Sequence, residues 1–330
     1  MKRLQRAVNL CLGVISGLVL GLAGFGNAYA VGPGADVCKG CHEDKTASYE
    51  ASVHGQKGNL KGPSNAGECS TCHGDATAHV SAGGGRGVGG IKNPGGKTMS
   101  AEEKSQTCLA CHDGNRNLAY WDSGRHKKND VSCNNCHSIH GTSTGNNDKM
   151  LKAGGPSISP YVTTVRQRQY ETCNTCHKDK TAQILKTSHH PVVEGKVKCS
   201  DCHNPHGALS PAMIKGDSVN ELCGTCHAEK RGPFINEHPP VAENCLACHA
   251  PHGSNHAKLL EQALPRLCQD CHDAASHLGQ IWSAKDAFAL GTGQPGFANS
   301  GRAIGRSCLN CHTQIHGSNA PANQGQRFLR

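Results

Sequence analysis

Cys199-Ser200-Asp201-Cys202-His203-Asn204-Pro205-His206 decides how the rest of the chain is read. Cys199, Cys202 and His203 form C-x-x-C-H, the attachment signature of a c-type haem. At helical spacing, positions i, i+3 and i+4 share one face. Two thiols there bond the two vinyl groups while the imidazole reaches the iron from the same side. His206 follows three residues later, on a turn marked by Asn204-Pro205. It stands too close to swing round to the opposite face of the haem that His203 holds, but it is free to ligate a neighbouring haem.

Counting outward from this stretch, Cys11 is one of 21 cysteines, and the other twenty all fall in C-x-x-C-H. The pairs are Cys38/Cys41, Cys69/Cys72, Cys108/Cys111, Cys133/Cys136, Cys173/Cys176, Cys199/Cys202, Cys223/Cys226, Cys245/Cys248, Cys268/Cys271 and Cys308/Cys311. The motif histidines, and so the proximal iron ligands, are His42, His73, His112, His137, His177, His203, His227, His249, His272 and His312. A disulfide framework is the alternative for an exported Cys-rich chain, and zinc the alternative for paired C-x-x-C. Neither explains a histidine after the second cysteine every time. The reading is ten covalent c-type haems.

Twelve histidines remain outside the motifs, and ten of them recur in phase. After each odd-numbered motif comes one extra histidine, then the even-numbered motif, then a second extra histidine. The set is His54 and His79, His126 and His140, His190 and His206, His238 and His252, His277 and His316, with His189 and His256 left over. These ten are the candidate distal ligands, which makes every haem bis-histidine. His190 is preferred to His189 because it precedes Pro191 as His238 precedes Pro239. The phase does not assign each distal histidine to its iron. Met99, Met150 and Met213 do not recur with the repeat, so methionine ligation is a poor competitor. An iron with two imidazoles has no open position for substrate and transfers electrons. No nucleophile–base constellation suggests catalysis.

The period gives five tandem two-haem repeats, at about 38–79, 108–140, 173–206, 223–252 and 268–316. Tandem repeats are the sign of a stacked, quasi-linear architecture. Aromatic residues are 4% of the chain and 41 residues are glycine, too little for an ordinary core of this length. The expected fold class is therefore a multihaem cytochrome c: mostly irregular, with short helices and little or no β-structure, drawn out as an elongated haem wire. Ser100/Glu103 and Ser218/Glu221 each fit a capping box leading into a motif. Thr164 to Glu171 reads as a short helix entering Cys173. Gly83 to Gly96 reads as a mobile loop, and Asp286 to Gly305 as a looser insertion.

Lys2, Arg3 and Arg6 precede an apolar run from Val8 to about Leu22, ending Asn27-Ala28-Tyr29-Ala30. This is the layout of a signal peptide over 1–30, with the mature cytochrome at 31–330. Removing it takes three of the 34 basic residues and none of the 25 acidic ones, so the formal +9 falls to +6. Each ferric haem then adds about one positive charge at iron and two propionate negatives, so ten haems add roughly ten net negative charges. The basic balance is a counterweight to propionates rather than a nucleic-acid surface.

At four stretches the chain resembles the periplasmic decahaem cytochromes of outer-membrane porin–cytochrome conduits, the MtrA type. They are Cys199–Gly207 (CSDCHNPHG), Glu221–Pro233 (ELCGTCHAEKRGP), Glu237–Ser254 (EHPPVAENCLACHAPHGS) and Gly305–Asn319 (GRSCLNCHTQIHGSN). The haem spacing is similar over the whole mature chain. The resemblance implies a periplasmic protein lodged in an outer-membrane β-barrel porin, with bis-histidine ligation throughout. It implies electrons passing between a periplasmic cytochrome and an outer-surface multihaem cytochrome or extracellular metal such as iron, in a direction the sequence leaves open. The alternatives are a soluble periplasmic shuttle feeding a terminal reductase, and a multihaem oxidoreductase with one open haem.

Overall fold

A computed structural model describes residues 32–140, 149–152, 169–272, 308–321 and 323–329. The signal-peptide reading, most of the Thr164–Glu171 helix, the Asp286–Gly305 insertion and His277 lie outside the described residues. The chain divides into two compact units, one ending at Thr98 and one beginning at Met99.

Every described helix is short, and the reason is local. The longest, Ala101–His112, opens on a complete capping box. Ser100 Oγ accepts from the Glu103 amide at 3.2 Å, and the Glu103 carboxylate accepts from the Ser100 amide at 2.7 Å. Helix Val219–Gly224 uses half of the same device. Ser218 Oγ accepts from the Glu221 amide, but the Glu221 carboxylate takes the amide of Asp217 instead. Helix Gln169–Asn174 leads into Cys173. Several other helices are single turns formed by the motifs themselves, such as Cys133–Cys136 and Cys199–Cys202. Glycine, proline and the histidine turns stop each one.

Among the described residues there is no β-sheet, only five isolated antiparallel bridges. Three of them are the same structure repeated. His137 bridges Leu151, His203 bridges Ile214 and His249 bridges Leu260. In each, the chain leaves an even-numbered motif, turns, and comes back over it. The amides of Lys152, Lys215 and Glu261 then donate to the carbonyls of Cys136, Cys202 and Cys248. The turn puts Met150, Ala212, Met213, Lys258 and Leu259 at positive φ. Met150 and Met213 thus serve this fold through their backbone.

A second recurring contact ties successive repeats together inside the larger unit. The glycine after His206, His252 and His316 lies against the chain just ahead of an earlier extra histidine. Gly207 rests on Tyr120, Gly253 on Gln183 and Gly317 on the Phe234 ring. Beside two of these, paired amide–carbonyl bonds run between Ser188 and Ser254 and between Asn236 and Ser318.

The buried apolar side chains of the described residues are Tyr49, Ala76, Leu109, Trp121, Tyr170 and Ile184. Six side chains, worth roughly 1.5–3 kcal/mol each for the larger ones, cannot order so many residues by themselves. Tyr49 Oη, Thr71 Oγ1 and Trp121 Nε1 are buried without a protein partner. An unmatched buried donor costs about 1–3 kcal/mol, and a porphyrin with anionic carboxylates would supply both missing surface and missing acceptors.

The packing makes Gly207 a sensitive position. Its φ is +118°, and an added Cβ would collide with the Tyr120 carbonyl. Gly207→Ala should destabilise the holoprotein by about 2–4 kcal/mol through backbone strain and overpacking. Gly114→Ala, where a Cβ meets nothing within 4 Å, should be neutral or stabilise by up to about 1 kcal/mol. Denaturant unfolding followed by circular dichroism separates the two.

Candidate functional site: paired imidazoles along the motifs

The local geometry of all ten motifs lies within the described residues. In each, the histidine amide reaches the carbonyl of the first cysteine across one helical turn. Examples are His42 to Cys38 at 2.9 Å, His177 to Cys173 at 3.0 Å and His312 to Cys308 at 2.9 Å. Cysteine, cysteine and histidine side chains therefore leave one face together, as the i, i+3, i+4 spacing requires.

The thiols order the motifs in space. First cysteines meet in pairs within hydrogen-bond reach: Cys38 with Cys69, Cys108 with Cys133, Cys173 with Cys199, Cys223 with Cys245, and Cys268 with Cys308. Second cysteines of adjoining repeats also lie near one another: Cys136 with Cys176, Cys202 with Cys226, and Cys248 with Cys271. From the third motif to the tenth, neighbours in sequence are neighbours in space. Burial pushes the Cys69, Cys223 and Cys268 thiols up to about 11. Such positions favour neutral sulfur, which suits a thioether better than a metal thiolate.

The second cysteines are not all placed alike, although the sequence gives them one role. Cys72, Cys111 and Cys311 stand outside the three pairs just named, as does Cys41. Cys72 is half-buried at the end of its motif helix, near Tyr49. The Tyr49 hydroxyl is pushed up to about 12, mainly by burial, with Glu68, Cys69 and Cys72 adding to the shift. Cys111 is exposed near the end of helix Ala101–His112. Cys311 is also exposed, its amide bonded to the Cys308 carbonyl at 3.1 Å.

Opposite the motif histidines stand the extra ones. Their ring centres lie 6.4 Å apart for His42–His79, 6.1 Å for His126–His177 and His137–His206, and 6.3 Å for His190–His227. They lie 6.0 Å apart for His203–His252 and His238–His272, and 6.2 Å for His249–His316. Two metal–nitrogen bonds of about 2.0 Å, together with the ring radii, put ring centres about 6.3 Å apart. The spacing fits one iron between each pair.

The pairing follows a rule. His126 of the second repeat faces the motif of the third, while His206 of the third faces the motif of the second. His190 with His252, and His238 with His316, repeat this exchange at the next two junctions. The first motif differs, because His42 meets His79 from its own repeat. His54 lies in the turn after helix Glu43–Glu50, and His140 in the turn after Cys133–Cys136.

Six of these seven pairs contain one imidazole aimed by a backbone carbonyl. For even-numbered motifs it is the motif histidine, held through Nδ1 by the returning turn. His137 bonds the Lys149 carbonyl at 2.7 Å, His203 that of Ala212 at 2.9 Å and His249 that of Lys258 at 2.8 Å. His73 and His312 are held likewise by Lys92 at 2.7 Å and Arg327 at 2.5 Å. For odd-numbered motifs it is the extra histidine. His126 bonds the Pro205 carbonyl and His190 the Pro251 carbonyl, both at 2.7 Å, and His79 that of Val88 at 3.1 Å. His238 faces the Ile315 carbonyl without full hydrogen-bond geometry. A carbonyl on Nδ1 fixes the tautomer, leaves Nε2 for the metal and strengthens it as a donor.

Burial reinforces this. It draws His206 down to about 4, with the nearby His137 and His126 adding to the shift, and also lowers His137, His238, His252 and His316. A neutral imidazole is the form that binds iron. His189 is different: it bonds the Lys186 carbonyl at 2.6 Å and the Glu194 carboxylate at 3.1 Å, with both ring nitrogens engaged. The neighbouring His190 is the one that faces a motif histidine, His227. His256 joins none of the seven ring pairs; its amide bonds Ser254 Oγ.

Comparison with known proteins agrees with the motifs. Residues 189–232 and 238–277 match the family described as Doubled CXXCH motif, and residues 69–153 match Cytochrome c-type protein NrfB-like. Multiheme cytochrome MtrA of Shewanella baltica (strain OS185) is 36% identical over 303 residues, which cover 88% of this chain and 80% of that protein. Nine-heme cytochrome c of Desulfovibrio desulfuricans (strain ATCC 27774 / DSM 6949 / MB) is 21% identical over 272 residues, 68% of this chain and 78% of its own.

The exchange can be checked by mutation. His206→Ala should open an iron on the haem attached at Cys133 and Cys136, not on the one attached at Cys199 and Cys202 beside it. Carbon monoxide binding to the reduced protein, with the haem assigned by nuclear magnetic resonance, reads this directly. His189→Ala should leave every iron low-spin.

Proposed function

Belonging as it does to the MtrA family of multihaem cytochromes c, a family of electron carriers, this chain we propose to be a non-catalytic conduit of ten bis-histidine haems that crosses the outer membrane inside a β-barrel porin. Bound haem supplies a one-electron Fe(III)/Fe(II) couple, and a close series of them passes electrons along. The polypeptide attaches, orients and shields.

The observation that carries this reading is the set of ring pairs at iron-spanning distance. Two imidazoles per iron leave no coordination site for substrate, and the anchored Nδ1 atoms keep them in place. By the phase of the repeat in the sequence, His54, His140 and His277 complete the set of distal ligands beside His79, His126, His190, His206, His238, His252 and His316. All twenty motif cysteines carry thioethers in this reading, Cys72, Cys111 and Cys311 included, because each sits one helical turn from its partner cysteine and beside its motif histidine. Repeated thiol contacts between successive motifs keep neighbouring attachment edges together, as hopping requires.

The first 30 residues serve as a cleaved export signal, so the mature protein works in the periplasm. Among the described residues no helix is long and apolar enough to cross a membrane. A loop-rich backbone meets hydrocarbon only behind a closed wall that satisfies every peptide group, and a barrel provides one. The outer end then faces an extracellular metal such as iron, or a surface cytochrome, and the inner end a periplasmic donor or acceptor.

The protein should copurify from outer membranes with a barrel. Liposomes containing the pair should pass electrons from an external donor to an enclosed dye, whereas barrel alone should not. Isolation only as a free periplasmic monomer, with no transfer across liposomes, would replace the conduit by a diffusing shuttle. A high-spin ferric signal in the native protein would point instead to a catalytic haem.

A further inference from the structure

The first repeat lacks what anchors imidazoles elsewhere. In the second to fourth repeats the chain returns to bridge the histidine of the even-numbered motif. His79, unlike His206, His252 and His316, is not followed by glycine, and it faces a motif of its own repeat. The stretch from Gly83 to Lys92 takes over both tasks. Expected from composition to be a mobile loop, it is instead tied at four points. The Val88 carbonyl accepts from His79 Nδ1 at 3.1 Å, and the Lys92 carbonyl from His73 Nδ1 at 2.7 Å. The Lys92 amide donates to the His73 carbonyl at 2.9 Å, and the Gly84 amide to the His79 carbonyl at 2.9 Å.

Glycine is required at the closest approach. Gly89 has φ +73°, and a Cβ there would strike the His79 amide nitrogen and lie 2.6 Å from His79 Cα. Backbone against backbone leaves no flexible side chain to move aside. Gly84, Gly85 and Gly87 also have positive φ, which lets the segment fold back within a few residues.

We propose that the glycine-rich segment 83–92 is a clamp that positions two axial imidazoles at once, His79 for the iron of His42 and His73 for its own, with Gly89 as the positioning residue that admits it. Its two carbonyls fix two tautomers, so one segment governs ligation at both haems of the first repeat. This rests on His79 being the distal ligand to the His42 haem.

The test uses holoprotein. Gly89→Ala should convert about one haem in ten from low-spin to high-spin, with one carbon monoxide bound per reduced chain, at the haem attached to Cys38 and Cys41. His79→Ala should open the same iron, and added imidazole should close it. Combining the two should open no further haem. Lys92→Ala keeps the backbone carbonyl and should leave the spectrum unchanged. If His79→Ala opens the iron but Gly89→Ala stays wholly low-spin, the clamp is wrong and the ligand reading stands. If His79→Ala opens nothing, the ligand reading fails and the clamp with it. Should Gly89→Ala not incorporate haem, Val88→Gly adds no bulk yet frees the anchoring carbonyl. Carbon monoxide binding at that same haem then supports the clamp, and an unchanged spectrum overturns it.

Discussion

The structure depends on a restriction of reach. A single helical turn can present two thiols and one imidazole to the same side of a porphyrin, and nothing in that turn can reach round to the other side. In the bis-histidine reading proposed above, each iron finds its second nitrogen elsewhere along the chain. In the larger unit His126 and His206 cross one junction in opposite directions, each to face a motif histidine of the other repeat. Ligation would then do the work that an apolar core does in other proteins, in a chain whose described residues bury few large apolar side chains.

Coordination bonds are directional, so the rings must be aimed, and the backbone does the aiming. The returning turn after an even-numbered motif exists to place a carbonyl on the motif imidazole. Its residues at positive φ, such as Ala212 and Lys258, accept local strain of about 1–2 kcal/mol each to do so. The prolines before His206 and His252 offer their carbonyls to His126 and His190. These two His-Gly turns thus each present an imidazole to one motif histidine and an acceptor to an extra histidine that faces another.

Much of this was legible in the sequence, because covalent chemistry imposes fixed spacing. The ten motifs, the lack of sheet among the described residues and the phase of the seven extra histidines that face a motif histidine follow from residue order, and the proline after His190 distinguishes it from His189. The pairing was not legible, since it depends on how the chain turns between repeats, and a histidine three residues from one motif serves another some 70 residues away. For the same reason spacing alone could not show that Cys136, Cys202 and Cys248 each lie near a second cysteine of the adjoining repeat. Nor was the fold of Gly83 to Lys92 legible. Glycine content signals freedom of the unfolded chain equally whether the native segment is loose or needs positive φ. One clue was present: His79 has neither the preceding proline nor the following glycine of His206 and His252, and so does not belong to the exchanging set.

Reciprocal exchange works like a chain stitch, in which each loop is secured by the next and only the ends need knots. Inserting one whole repeat in the middle preserves every crossing, because the newcomer gives and receives the same histidines as those it separates. Adding a repeat at the beginning is harder, since the fastening around His79 would have to be undone and remade. Arrays of this kind should therefore grow in length from within, while their termini change by a different route.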